Sequence, residues 1–87
     1  MKIIIQIPCF NEEGQLKKII SEIKASVDQS LYNYQIVIID DGSEDNTVKI
    51  AKENNVDKII SFKRNMGLGY AFDQGINFAK NEQADIL

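Results

Sequence analysis

A carboxylate at the end of a β-strand can accept hydrogen bonds from a ribose hydroxyl pair or from the imino hydrogen of a pyrimidine or guanine base. Asp40, in the cluster Asp40-Asp41-Gly42-Ser43, is the first candidate for that work. Two further clusters carry complementary residue types. In Pro8-Cys9-Phe10-Asn11-Glu12, Glu12 could bond a ribose hydroxyl and Phe10 could flank a base; in Arg64-Asn65-Met66-Gly67-Leu68-Gly69, the glycines could let backbone approach a phosphate while Arg64 supplies charge. Each cluster also has a plainer reading. A lone DDGS is more often an Asx turn that caps the next helix, Glu12 fits a first-turn acid favoured by the helix dipole, Phe10 fits the core, and the glycines fit a turn.

The elements needed to bring these clusters together can be read from the periodicity. Lys2 to Ile7 is a β-branched run that Pro8 should end. Asn11 is expected to cap a first helix with Glu12 and Glu13 in its opening turn, burying Leu16, Ile19, Ile20, Ile23 and Val27 on one face. After the polar stretch 28–33, Tyr34 to Ile39 reads as a strand covered on both faces. A second helix should start near Asp45 and Asn46, run from Thr47 to Glu53 and bury Val48 and Ala51. Lys58 to Phe62 is the third strand. Tyr70 to Asn81 is the third helix, burying some combination of Ala71, Gly75, Ile76 and Ala79, and Ala84 to Leu87 begins a fourth strand. This β-α-β-α-β-α-β order with short connections predicts a Rossmann-like α/β fold with a parallel, helix-covered sheet. Ligands of such sheets bind outside the carboxyl ends of the strands, which is where all three clusters fall.

Composition narrows the chemistry. The 87 residues form one small domain at most; 44% are hydrophobic and 26% charged, as in a folded globular protein. Ten basic and thirteen acidic side chains are scattered to a net charge of −3, so no basic stripe faces nucleic-acid phosphates. Cys9 is the only cysteine and histidine is absent, which removes an internal disulfide and the common zinc-ligand patterns. The aliphatic runs Ile3 to Ile5 and Ile36 to Ile39 are far below the roughly 20 residues of a membrane-spanning helix, and Met1-Lys2 leads straight into a strand instead of a signal peptide. A cytoplasmic location is the expectation. The glycine segment is a poor dinucleotide fingerprint, because Phe72 stands at the third glycine position and the segment follows the third strand; no G-x-x-x-x-G-K-[ST] loop is present.

Taken in order, the clusters resemble the N-terminal region of the family 2 glycosyltransferases, whose fold is of the GT-A type. The family pattern is an aliphatic strand, P-x-[YF]-N-E, a strand ending in D-D-G-S-x-D-x-T, and R-N-x-G-x-G-x-A. Pro8 to Glu12, Asp40 to Thr47 and Arg64 to Ala71 match it along the whole chain. The resemblance implies that Pro8 and Phe10 line a nucleoside pocket, that Glu12 and Asp40 contact ribose and base, and that the segment around Gly67, with Arg64, lies under a nucleoside-diphosphate sugar. Asp41 is expected to support the loop more than to touch ligand.

The chain ends inside the expected fourth strand, before the D-x-D that holds the family's divalent ion and before its acidic base; Asp85 is no substitute. Residues 1–87 therefore read as one partial domain, the truncated N-terminal half of a GT-A domain. It is expected to bind no metal and to lack turnover itself. The intact parent would use Mg²⁺ or Mn²⁺ and transfer a sugar, with inversion, to a glycan hydroxyl or to polyprenyl phosphate, in the cytoplasm or peripheral to the membrane. The unpaired sheet edge suggests self-association. The competing reading is a non-catalytic nucleotide-binding module. A receiver-like signalling domain fits poorly, because Pro8 and Lys63 stand where its acidic pair and phosphoacceptor belong.

Overall fold

The computed structural model describes residues 2–27, 33–83 and 85–86. The chain alternates as β1 (Lys2–Cys9), α1 (Leu16–Ser26), β2 (Asn33–Asp40), α2 (Thr47–Glu53), β3 (Lys58–Ser61), α3 (Leu68–Asn81) and β4 (Asp85–Ile86). The four strands pair in parallel in the order β3-β2-β1-β4. Strand order thus steps outward from β1 to β3 and then jumps back past β2 and β1, which makes the crevice between β1 and β4 the switch point of the sheet. The α/β class and the element order expected from the sequence are those found.

Each face of the sheet has its own core. Leu16 and Ile20 of α1 and Ala51 of α2 pack with Cys9, Ile36 and Ile38 on one side. Ala71 and Ala79 of α3 pack with Ile4, Val37 and Ile39 on the other. Because successive strand residues point to opposite faces, the unbroken apolar run of β2 feeds both cores, and Ile36 to Ile39 are fully buried. Side chains of this size each contribute about 1.5–3 kcal/mol on burial.

Five details differ from the sequence reading. β1 does not stop at Pro8 but continues to Cys9. The Cys9 carbonyl accepts the Asp41 amide at 2.8 Å, so Cys9 faces β2 and Pro8 faces the opposite side. There β4 reaches only Ile3 and Ile4, and the missing proline N–H costs no ladder bond. α1 starts at Leu16, because Asn11 adopts φ +52° and is no helix cap; Glu12 and Glu13 lie in a preceding turn in which the Gln15 and Leu16 amides both donate to the Glu12 carbonyl. α3 begins two residues earlier than expected, at Leu68, directly after Gly67 at φ +93°. Ile76 is exposed: Ala71, Gly75 and Ala79, at four-residue steps, take the stripe facing the sheet, and Ile76 is turned about 100° from Gly75. Phe62 falls just past β3 and meets Tyr70 edge-to-face, with ring centroids 4.9 Å apart. Ala84, Leu87 and most of the polar stretch after α1 lie outside the described residues.

Candidate functional site

Beyond the carboxyl ends of β1 and β2 lies an open cleft of about 350 Å³. Its first wall is the end of β1 and the turn after it, with Pro8, Cys9, Phe10 and Glu12. Asp41 forms the floor, and Asn65, Gly67, Leu68 and Ala71 form the opposite wall. All three polar clusters therefore meet at one place, although not every residue of them does.

The two aspartates at the end of β2 have different jobs. Asp40 is 2% exposed and does not line the cleft; its Oδ1 accepts the Ser43 amide at 3.1 Å and its Oδ2 accepts the Ser61 hydroxyl at 2.7 Å. Asp40, expected as the first ligand contact, ties the β2 turn to the end of β3. Asp41 is 6% exposed and does line the cleft. Its Oδ1 accepts the Met66 amide at 2.6 Å and its Oδ2 the Gly67 amide at 3.0 Å, so the carboxylate holds the loop that forms the far wall. Charge-assisted bonds of this kind are the stronger class.

Two glycines make that geometry sterically possible. Gly42 sits at φ +76°, where a Cβ would overlap the Arg64 carbonyl carbon and stand 2.5 Å from the Asn65 nitrogen. The β2 turn and the 64–67 loop thus touch backbone to backbone. Gly67 needs its freedom for conformation alone, since nothing lies within 4 Å of the space a Cβ would take. Arg64 is exposed and outside the cleft lining; its backbone, packed against Gly42, is what the site uses.

Phe10 is 44% exposed and presents an aromatic ring at the rim. Cys9 is buried, and desolvation, with the Glu12 and Asp40 carboxylates adding, pushes its thiol up to about 12; it stays protonated at neutral pH and is no nucleophile. The acidic side chains that line the cleft are Glu12 and Asp41, whose oxygens suit hydroxyl and imino donors better than phosphate. Among the described residues no group of three or more acidic, cysteine or histidine side chains is gathered to hold a metal ion, and both Asp41 oxygens are already engaged. These residues do not fit a divalent ion.

The sequence reading did not single out Asn65, Leu68 or Ala71 as lining residues. Ala71 lies one helical turn beyond Gly67 and returns to the same side, a periodicity that could have flagged it.

A parallel sheet with a cleft beyond the carboxyl ends of its first two strands, walled by an aromatic residue and floored by the Asp41 carboxylate, is an arrangement in which α/β proteins bind ligands. Residues 4–86 match the family described as Glycosyl transferase family 2, and the chain belongs to that family. It is 34% identical to an uncharacterized glycosyltransferase, YkcC, of Bacillus subtilis, across 95% of this chain and 27% of that protein. It is 36% identical to the UDP-N-acetylglucosamine–dolichyl-phosphate N-acetylglucosaminyltransferase of Methanococcus voltae, across 97% of this chain and 38% of that protein. It is also 31% identical to an undecaprenyl-phosphate 4-deoxy-4-formamido-L-arabinose transferase of Aeromonas hydrophila, across 90% of this chain and 26% of that protein. The chain thus spans about a quarter to two fifths of the length of these relatives. No helix among the described residues is long and apolar enough to cross a membrane.

Proposed function

We propose that this chain is the nucleoside-binding part of a glycosyltransferase that moves a sugar from a nucleoside diphosphate to polyprenyl phosphate or a glycan hydroxyl. The observation that carries the reading is the convergence of Phe10, Glu12, Asp41 and the Gly67 loop on one cleft at the strand ends. Phe10 and Pro8 flank the base, while Glu12 accepts from the ribose hydroxyls. Asp41 keeps the far wall in place and presents its remaining acceptor capacity to base or ribose, with Asp40 supporting the turn from behind. The diphosphate then lies toward the amino end of α3.

In the reaction proposed for the whole enzyme, an acceptor oxygen attacks the anomeric carbon from the face opposite the leaving group. The carbon–oxygen bond to the nucleoside diphosphate breaks, and any acceptor proton passes to an acidic base. Mg²⁺ or Mn²⁺ would steady the leaving diphosphate, held by residues other than those described here. The 87 residues alone are expected to bind without turnover. Polyprenyl-linked acceptors, as in the names of the relatives, favour a cytoplasmic site of action at the membrane periphery; recovery in a fraction free of membranes would count against it.

Calorimetric titration with UDP, GDP and dTDP, with and without Mg²⁺, tests the binding claim. One nucleotide is expected to bind with little dependence on metal, and a folded protein silent to all three at millimolar concentration would refute it. The alternative is a non-catalytic nucleotide-binding module; sugar transfer by the whole protein would exclude it. We also propose that a second copy pairs along β4, whose described backbone has β1 on one side only. A monomer in sedimentation equilibrium at millimolar concentration would contradict this.

A further inference from the structure

The turn that carries Glu12 is held from outside the cleft. Three consecutive amides, those of Asn11, Glu12 and Glu13, each donate to a side chain of the 43–47 segment: Ser43 Oγ at 2.9 Å, Thr47 Oγ1 at 2.9 Å and Asp45 Oδ2 at 3.2 Å. Two bonds return, from the Glu44 amide to Asn11 Oδ1 at 2.9 Å and from the Asn46 amide to Glu13 Oε2 at 3.2 Å. Five bonds thus cross between segments more than thirty residues apart, and neither Ser43, Asp45 nor Thr47 touches the cleft.

We propose that Ser43, Asp45 and Thr47 are positioning residues for Glu12, acting through the backbone of Asn11 to Glu13 to aim its carboxylate at the ribose. This rests on the nucleotide reading above.

Thr47 is the hub, fully buried at the start of α2. Its hydroxyl hydrogen goes to Asp45 Oδ1, which leaves its lone pairs to accept the Glu12 amide. The Thr47 amide donates to the same Asp45 oxygen at 3.0 Å. Desolvation acts upward on the Asp45 carboxyl, but the bonds from the Thr47 hydroxyl and amide and from the Glu13 amide outweigh it and hold Asp45 below the ordinary carboxylate range. Asp45 therefore remains an ionised acceptor at neutral pH. Asn11, at φ +52°, takes the left-handed conformation that asparagine tolerates best after glycine, which turns its amide and those after it toward the 43–47 segment.

The test compares Thr47→Val, Thr47→Ser, Ser43→Ala and, as a destabilised control remote from the cleft, Lys24→Ala, whose ammonium bonds the Asn54 carbonyl. Affinity for UDP, GDP and dTDP is read together with amide hydrogen exchange at Asn11, Glu12 and Glu13. Thr47→Val is expected to weaken the best nucleotide by about tenfold and to expose the Glu12 amide, with Thr47→Ser within about twofold of wild type and Lys24→Ala unchanged in affinity. If Thr47→Val fails to fold, Ser43→Ala carries the test, with faster exchange at Asn11 and weaker binding expected. Folded variants that bind like wild type overturn the proposal. If wild type binds none of the three nucleotides, the nucleotide reading fails, and the positioning of Glu12 stands or falls on whether exchange at 11–13 accelerates in these variants but not in Lys24→Ala.

Discussion

Replacing Gly42 with alanine is expected to remove a large share of the protein's stability. The added methyl would overlap the Arg64 carbonyl carbon and lie 2.5 Å from the Asn65 nitrogen and 2.8 Å from the Arg64 Cα. These are backbone atoms, and the loop that contains them is pinned by the Met66 and Gly67 amides on Asp41, so no rotamer change relieves the overlap. The φ of +76° adds about 1–2 kcal/mol for any residue with a Cβ. Overpacking against backbone brings the total to roughly 3 kcal/mol or more, a large share of the stability of a domain this small. Urea unfolding followed by circular dichroism measures it. Gly75→Ala is the informative comparison, because its methyl would meet the amide end of Gln6 and the Ile39 Cδ1, side-chain atoms that can move. Its cost should be clearly smaller; equal losses in the two variants would show that the contact of the β2 turn with the 64–67 loop is not rigid.

The second large effect separates the paired aspartates. Asp41 accepts two backbone amides, one on each oxygen, and neither donor can reverse. In Asp41→Asn one of them faces the new NH₂ group, so a charge-assisted bond is lost and a donor is left opposite a donor. About 2 kcal/mol of stability should go, and nucleotide binding should fall below detection as the far wall of the cleft comes loose. Asp40 differs, since one of its partners is the Ser61 hydroxyl, which can rotate from donor to acceptor. Asp40→Asn can keep Ser43 on its oxygen and donate from its nitrogen to Ser61, and a loss within about 1 kcal/mol is expected. Unfolding midpoints and nucleotide affinity of the two variants give the order. The reverse order, with Asp40→Asn abolishing binding and Asp41→Asn harmless, would return the ligand contact to Asp40.

Residue type and spacing alone could not separate these two residues, because adjacency hides direction. Asp40 is the last residue of β2 and Asp41 the first beyond it, so their side chains leave the chain on different sides. Which side faces the cleft depends on where α3 and the 64–67 loop come to rest. The strands themselves were legible from local composition: the β-branched runs of β1 and β2 and the 3.6-residue spacing of Leu16, Ile20 and Ile23 require no tertiary information. The start of α1 did require it. Asn11 looks like a helix cap by residue type, yet Ser43 and Glu44 draw its amide and side chain into bonds that a helical conformation would break. Pro8 misled for a related reason, since a proline ends a strand only on a side where a neighbour is waiting. The convergence of three polar clusters was legible from the strand alternation, while the division of labour within them was not.

The most direct test of the account is where a nucleoside binds. Intermolecular NOEs between ribose and base protons of the bound nucleotide and the protein's side chains read this without assuming any role for a residue. The account predicts contacts to the Phe10 ring, the Leu68 methyls and the Ala71 methyl, which line the same cleft. A bound nucleotide with contacts only to α1 and α2, on the opposite face of the sheet, would contradict it.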